Sequence, residues 1–312
     1  MPRPAVSPPD QALADHLGDA LQHYIDTVRD LPGLTSDTVR NTLIAQLIDS
    51  DRRRRYANRV RDSDPSPKVL HRPPSSFHPL FAAVRSARDG DFDEACWLVL
   101  LATHFGYTRK HQWALLGNFY CQLGGSQRWT WKNVVADTSA MRTWLDTHQT
   151  QLRRVGGPFG NHRKYESLSG SKPSGTGEAL ESYARWGGAS HRNHFDRLAV
   201  SDSPKESFAA AYASMNTVTR FGRIGRFDYL TMLGKLGIVD LLPDKLHLQG
   251  ATGPLNGARL LCYGSLGVAV SAADLEVSLQ QLGDRLGMSY DVMEDALCNW
   301  QKSPRRFTSF RG

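Results

Sequence analysis

Two glycines and three arginines lie close together between two helical patterns. The stretch reads Arg220-Phe221-Gly222-Arg223-Ile224-Gly225-Arg226-Phe227-Asp228-Tyr229-Leu230. Glycine lets the backbone of a turn approach a phosphate, and the start of the next helix offers unpaired N–H groups and a positive dipole end. The arginines Arg220, Arg223 and Arg226 add charge. We therefore predict that this turn, through Gly222 and Gly225, holds a DNA backbone without reading bases; an ordinary turn with exposed arginines is the alternative.

This pattern is typical of a helix–hairpin–helix, and Asp244 lies where DNA glycosylases with that motif place their acid. Asp244 follows Gly225 by 19 residues, about one helix and one loop. Cleavage of a glycosidic bond builds positive charge on the sugar, which a nearby carboxylate stabilises while it orients water. Asp244 is therefore predicted to be catalytic. The alternative is a loop aspartate at the surface.

Asp228, at the start of the helix after the turn, is the rival catalytic carboxylate. Its alternative role is a favourable interaction with the helix N-terminus. A bifunctional glycosylase also needs a lysine near this place to form a Schiff base, and the sequence has Arg226 there. Arginine does not act as that nucleophile at ordinary pH. We therefore predict a water nucleophile and a monofunctional enzyme.

A second polar stretch lies between glycines. It reads Gly156-Gly157-Pro158-Phe159-Gly160-Asn161-His162-Arg163-Lys164-Tyr165-Glu166-Ser167-Leu168. Asn161 is suited to reading a base edge and Tyr165 to stacking on a base, while Arg163 and Lys164 are suited to holding phosphates. His162 and Glu166 are further candidates for catalysis. A solvated loop that ends in a helix cap is the alternative.

Two later segments add candidate residues. The glycines at 250–257, with Arg259, suggest close contact with a sugar or phosphate, so Gly253 and Arg259 are predicted to contact the DNA backbone. Tight packing against the hairpin is the alternative. Asp295 shares a helix face with Asn299 and is a candidate second acid; the alternative is a C-terminal helix with solvated charges.

A basic run and a tryptophan pair complete the set. The run Arg52-Arg53-Arg54-Arg55, followed by Arg59 and Arg61, could lie along phosphates or form a solvated helix face. With the hairpin and tail cations it leads us to expect about five phosphate contacts and a log K against log salt slope near −4 to −5. The segment Trp129-Thr130-Trp131 is predicted to expose an indole, with Trp131 stacking on a base; a core role is the alternative.

The elements that position these residues follow helical spacing. Helices are predicted near 79–89, 92–105, 109–123, 138–153, 272–286 and 289–301, with others in the first 61 residues and after Ser203, and a glycine-rich connection at 155–178. No alternating strand pattern occurs. The predicted fold is all-α, with helix–hairpin–helix DNA-glycosylase-like helical bundle domains. The predicted segments are an N-terminal helical part (1–61), a proline-rich linker (62–79) and the body (80–312), with the hairpin near 220–230.

Composition narrows the class of protein. The 312 residues carry a formal net charge of +7, which favours a polyanionic partner. Four dispersed cysteines without a Cys-x-x-Cys pair argue against a zinc ribbon and predict reduced thiols, hence the cytoplasm. The first residues do not have the pattern of a signal peptide, and no apolar run is long enough for a membrane span. No metal or cofactor is predicted.

The chain resembles the α-glutamyl/putrescinyl thymine pyrophosphorylase family, clade three, over about residues 40–310. The residues that carry the resemblance are Asp49-Ser50 with the arginine run, Phe77-His78-Pro79, Glu94-Ala95-Cys96-Trp97, Thr103-His104-Phe105-Gly106, Phe159 to Glu166, Phe221-Gly222-Arg223, Gly253-Pro254 and Glu294 to Trp300. The resemblance implies a helix–hairpin–helix glycosylase-like fold and work on hypermodified DNA bases. It carries site roles over to Asn161, His162, Arg163, Lys164, Tyr165, Glu166, Asp228 and Asp295, whereas Asp244 depends on the hairpin spacing.

Three functions follow as hypotheses. The first is a glycosylase that flips out a bulky or hypermodified pyrimidine and hydrolyses its N-glycosidic bond, since relatives in the family are linked to such action against phage DNA. The second is a transferase in which an amine displaces pyrophosphate from pyrophosphorylated 5-hydroxymethyluracil. The third is a non-catalytic reader of modified DNA. In each, the expected partner is double-stranded DNA with modified bases, with no membrane and no obligate protein partner.

Overall fold

Helices form the regular structure of this chain. The computed structural model describes residues 6–199 and 201–310, which contain fourteen α-helices and no β-strand. The helices are α1 (Gln11–Thr27), α2 (Asp37–Asp62), α3 (Pro79–Arg88), α4 (Phe92–Phe105), α5 (Ala114–Tyr120), α6 (Trp131–Ala136), α7 (Thr138–Gly156), α8 (Thr176–Gly187), α9 (His191–Leu198), α10 (Pro204–Ser214), α11 (Arg223–Lys235), α12 (Gly253–Tyr263), α13 (Ala272–Leu286) and α14 (Tyr290–Trp300). The predicted all-α class is confirmed. No helix within those two ranges has the length and apolar character needed to cross a bilayer.

Local signals set several helix starts. The Ser203 hydroxyl accepts a hydrogen bond from the backbone N–H of Glu206, and Ser271 does the same for Asp274. Such N-caps satisfy donors that the helix itself leaves unpaired. The helix predicted near 109–123 is longer than the observed α5. Thr108 and Gln112 exchange two backbone hydrogen bonds (3.2 and 2.7 Å) that form a tight turn before α5.

Contacts divide the chain into two compact units. The first unit is drawn from the chain up to Tyr56 and from Pro243 onward; the second runs from Ala57 to Leu242. Each unit has its own hydrophobic core. This grouping differs from the three segments expected from the sequence (1–61, 62–79 and 80–312), whose boundaries stay a prediction.

The second unit is built around α4. Almost every side chain of this helix is buried, and α4 packs against α3 and against α11, the helix that follows the predicted hairpin. Polar groups of a fully buried helix need partners. The Glu94 carboxylate accepts hydrogen bonds from the Tyr120 hydroxyl (2.5 Å) and the Trp131 backbone N–H (2.6 Å). These bonds tie α4 to the segments around it.

In the first unit, α12 and α14 pack with almost no space between their backbones. A Cβ on Gly257 would collide with the Leu297 carbonyl oxygen, and one on Gly253 would lie 2.6 Å from the Cys298 Sγ. Both glycines therefore serve a close helix–helix approach. Tight packing was the alternative foreseen for Gly253, but its partner is α14 and not the hairpin.

Candidate functional site

The predicted turn and the predicted polar loop meet in the second unit. Arg220 donates two hydrogen bonds to the Glu166 carboxylate, with Nε–Oε2 at 2.9 Å and Nη2–Oε1 at 3.2 Å. The His162 Nδ1 lies 3.3 Å from the Asp228 Oδ2, and both of these side chains are about two-fifths exposed. The structure therefore brings together four of the residues selected from the sequence.

Arg163 is the buried centre of this cluster. It is 5% exposed, its Nη1 donates to the Arg220 carbonyl at 3.0 Å, and its guanidinium carbon lies 4.8 Å from the centre of the Phe221 ring. A Cβ on Gly225 would lie 2.9 Å from Nη1, so glycine makes room for the guanidinium. Burial lowers the pKa of Arg163, while the charges of Glu166 and Asp228 oppose that shift. Arg163 thus holds the loop against the turn from inside, and its burial does not favour a direct contact with DNA.

His104 holds the inner end of the same cluster, a role that sequence reasoning missed. It is fully buried, and burial, followed by the charges of Arg163 and Arg220, lowers its pKa well below the usual value. Its Nδ1 accepts from the Arg163 Nη2 (3.1 Å), so the neutral ring carries its proton on Nε2 and donates to the Thr176 hydroxyl (2.9 Å). His104 appeared in a motif that marked the resemblance, but nothing local indicated its partner.

The outer face of the cluster is polar and exposed. Asn161, His162, Lys164 and Gly222 are exposed, and Tyr165 is 83% exposed with the Lys164 Nζ 5.0 Å from its ring centre. An exposed aromatic beside a cation is suited to stacking on an unpaired base. The predicted roles of these residues stay predictions.

The turn itself differs from the expectation in two places. Gly225 is a buried residue in the first turn of α11 and does not lie in the turn before that helix, and its contact with a DNA phosphate stays a prediction. Arg226 is directed onto α10: its Nη1 donates to the Tyr212 carbonyl at 3.2 Å, and its guanidinium lies 4.4 Å from the Tyr212 ring centre. Gly222, the N-cap of α11, and the half-buried Arg223 remain at the start of the helix.

The two tryptophans expected to expose an indole are both buried. Trp131 is 4% exposed and Trp129 is 8% exposed. The Trp131 ring packs against Trp97 and His191, with centroid distances of 5.8 and 4.2 Å. The prediction that Trp131 stacks on a base is wrong, because its ring fills the core behind α4.

In the first unit, Asp244 lies in the loop after α11, as the predicted order of one helix and one loop requires. Its side chain is 19% exposed, and its Oδ1 lies 2.8 Å from the His247 Nε2. The Asp244 carbonyl accepts from the Gln280 amide on α13 at 2.9 Å. Asp244 is thus a partly exposed carboxylate on a firmly held loop.

Asp295 lies in a second polar cluster of this unit, between α2 and α14. Its carboxylate accepts from the Ser50 hydroxyl (2.7 Å), from Arg53 and from the Asn299 amide (2.9 Å). The Lys302 Nζ donates to the Asn299 carbonyl oxygen at 2.9 Å. The expected face shared by Asp295 and Asn299 is confirmed, and the charge of Asp295 is matched by Arg53.

The basic run on α2 is paired with carboxylates of the first unit. Arg52 and Arg55 bind Asp10, Arg54 and Arg55 bind Asp51, and Arg53 binds Asp49 and Asp295. Burial raises the pKa of Asp10, but hydrogen bonds from Ser7, Arg55 and Arg52 outweigh this effect and hold that pKa well below its usual range. The four arginine side chains are between 36% and 42% exposed, so a carboxylate partner offsets the charge of each while part of its surface stays open. Whether this run lies along phosphates or forms a solvated face stays a prediction.

Two further candidates have little open surface. Gly253 starts α12 against Cys298, and Arg259 is half-buried on the same helix, where its Nε has no hydrogen-bond partner among the described residues. Their predicted contacts with the DNA backbone stay untested. Within the described ranges, no group of three or more His, Cys, Asp or Glu side chains could hold a metal ion.

Comparisons with known proteins give one match. The family model described as alpha-glutamyl/putrescinyl thymine pyrophosphorylase clade 3 matches residues 38–312. No curated protein and no solved structure matches the chain. The matched span covers most of both units and includes the loop, the turn, Asp244 and Asp295. The chain therefore belongs to the alpha-glutamyl/putrescinyl thymine pyrophosphorylase family, clade 3.

Proposed function

We propose that the protein is a monofunctional DNA glycosylase that removes a bulky or hypermodified pyrimidine from double-stranded DNA. The observation that carries this proposal is the position and support of Asp244. It follows the turn and α11 by one loop, its carboxylate is partly exposed, and a histidine rather than an arginine holds it. A carboxylate that keeps its negative charge can stabilise a sugar cation.

The proposed reaction is hydrolysis of the N-glycosidic bond of a flipped nucleotide. The bond between the sugar C1′ and the base breaks, and its electron pair leaves with the base. Asp244 stabilises the positive charge that develops on the sugar and accepts a proton from the water that attacks C1′. The departing base gains a proton from solvent. The products are the free base and an abasic site.

The exposed face of the loop and turn is proposed to hold the DNA. Tyr165 would stack on a base, Asn161 would contact a base edge, and Lys164 and Arg223 would neutralise phosphates. The hydrogen bonds that Arg163 and Glu166 form with Arg220 keep this face in place. Excision of modified bases from phage genomes would make the enzyme part of antiviral defence.

A transferase is the second candidate, and the description of the family favours it. In this reaction, the amine nitrogen forms a bond to the carbon on C5 of 5-hydroxymethyluracil, and the bond from that carbon to the pyrophosphate oxygen breaks. The amine loses a proton, for which the exposed His162–Asp228 pair is a candidate acceptor. Pyrophosphate leaves.

One assay separates these reactions. The protein is incubated with duplex DNA from phages with different modified pyrimidines, and in parallel with unmodified DNA of the same sequence. Glycosylase action gives free base by mass spectrometry and abasic sites in the DNA. A gain in base mass with pyrophosphate release in the presence of an amine would support the transferase instead. Binding without any product would support a reader and overturn both proposals.

A further inference from the structure

His247, three residues after Asp244, has a backbone conformation that residues other than glycine rarely adopt. Its φ is +54°, in the left-handed region, although it is not glycine. That region is disfavoured for any residue with a Cβ, so surrounding contacts must hold His247 there. The residue is only 7% exposed. Strain of this kind is common where a side chain must point in one direction for function.

A single carboxylate on α13 holds this conformation. The backbone N–H groups of Leu246 and Leu248, on either side of His247, both donate to Glu276, with Leu248 N–Oε2 at 2.9 Å. Glu276 is 8% exposed, so these charge-assisted bonds form away from water. One turn further along α13, Gln280 holds the Asp244 carbonyl. The two α13 side chains thus fix both ends of the short loop.

The result of this support is the contact between His247 and Asp244. The imidazole Nε2 lies 2.8 Å from Oδ1 of Asp244, and the histidine is more deeply buried than the carboxylate that it contacts. An Nε2–H donor at this distance fixes the orientation of the carboxylate. An arginine in the same position would carry a full positive charge at every ordinary pH, whereas an imidazole carries one only when it is protonated.

We infer that His247 is a positioning residue that orients Asp244 for catalysis, and that Glu276 and Gln280 exist to hold the pair. This inference rests on the proposed glycosylase function, because it assigns to His247 an effect on the step that Asp244 stabilises. It predicts that the strain at His247 serves activity and not stability.

The test is the variant His247→Asn. Asparagine tolerates the left-handed region better than most residues, but its shorter side chain does not reach Asp244. We expect an unchanged or higher melting temperature, an unchanged dissociation constant for modified DNA, and single-turnover base release that is slower by about tenfold or more. His247→Gln, which places an amide N–H near the position of Nε2, should recover much of the rate.

Two controls separate positioning from general loosening. Tyr290→Phe removes a 2.9 Å hydrogen bond to Asp284 on the same helix α13 and should leave the rate unchanged. In an Asp244→Asn background, His247→Asn should add no further loss. The inference is overturned if His247→Asn releases base at the wild-type rate, if its rate and melting temperature fall together, or if its effect persists without Asp244. If the wild type releases no base from any DNA, the proposed function fails as well, which is a distinct result.

Discussion

At the scale of single residues, the candidate acids differ in what neutralises them. Glu166 is held by Arg220 and Asp295 by Arg53, and the two carboxylate side chains are 7% and 27% exposed. Asp244 and Asp228 contact histidines instead. A guanidinium is charged at every ordinary pH and offsets the charge that a sugar cation would need, whereas an imidazole does so only when it is protonated. We therefore propose Asp244 and Asp228 before the other two acids.

Glu94 predicts a specific pH dependence of stability. Burial raises its pKa to about 7 in the folded protein, against 4.5 as the ordinary value, while the hydrogen bonds from Tyr120 and Trp131 oppose that shift. Between about pH 4.5 and pH 7, the folded state therefore keeps a proton on Glu94 that the unfolded state has lost. The contribution of Glu94 to the unfolding free energy is full below about pH 4.5 and is lost as the pH rises through about 7. The cost at higher pH is about 3 kcal/mol of unfolding free energy.

Urea denaturation of the wild type and Glu94→Gln tests this expectation. As the pH rises from about 5 to about 8, the unfolding free energy of the variant should increase relative to that of the wild type by about 2 to 3 kcal/mol. A difference between the two proteins that does not change with pH would show that Glu94 does not titrate in this range.

At the scale of elements, the loop 161–168 is docked on the start of α11 by charge. The Glu166 side chain is 7% exposed and faces two guanidinium groups, one of them the buried Arg163. Removing the carboxylate leaves that buried cation without its ion-pair partner at 3.7 Å, with only the more distant charge of Asp228 to stabilise it. We expect Glu166→Gln to lower the unfolding free energy by about 2 to 4 kcal/mol.

The matched control is Asp64→Asn, since Asp64 is 83% exposed and pairs with Arg88 at the surface. Its effect on chemical denaturation should be far smaller than that of Glu166→Gln. Equal effects of the two variants would contradict the role of Glu166 as the anchor of the loop.

For the proposed glycosylase, the residues of α11 also predict a monofunctional type. Arg226 occupies the place where a Schiff-base lysine would lie and is bound to Tyr212, and Lys235 is in the last turn of the helix. A water nucleophile leaves no covalent intermediate. Borohydride treatment during turnover should therefore trap no protein–DNA adduct, and an adduct in good yield would contradict the monofunctional mechanism.

The sequence predicts where helices lie better than it predicts which side chains are buried. Helix α13 has the bounds expected from its pattern and its Ser271 cap, because both signals are local. The sequence does not predict helix α8, because the glycines near both of its ends and the threonine at its start are typical of a loop. In the structure, Gly177 makes room for the Gly170 backbone. Trp131 was misplaced for a similar reason: its backbone partner Glu94 lies 37 residues away. Long-range contacts of this kind leave no local pattern.

At the scale of the whole molecule, the net charge of +7 already counts the carboxylates that pair with the basic run, so the excess positive charge lies elsewhere in the sequence. The four consecutive arginines at 52–55 are paired with Asp10, Asp49, Asp51 and Asp295. With the two phosphate contacts proposed for Lys164 and Arg223 in place of about five, log K should fall with log salt at a slope near −2. Lys164→Gln and Arg223→Gln should each reduce that slope by about 1.

Arg54→Gln is the control for this salt dependence. Like Lys164 and Arg223, Arg54 carries a positive charge, but it pairs with Asp51 at 2.6 Å. Its replacement should leave the slope unchanged in fluorescence anisotropy titrations of duplex DNA. A slope that falls as much for Arg54→Gln as for Lys164→Gln would show that the paired run binds DNA after all.

The role of Asp244 is the central claim, and single-turnover base release by Asp244→Asn tests it most directly. The variant should bind modified DNA as the wild type does and release base at least about 10²-fold more slowly, the scale of losing an electrostatic partner of the transition state. Asp228→Asn, measured beside it, should keep its turnover. If Asp244→Asn is as fast as the wild type while Asp228→Asn releases no base, the catalytic carboxylate lies on α11 and the present assignment is wrong.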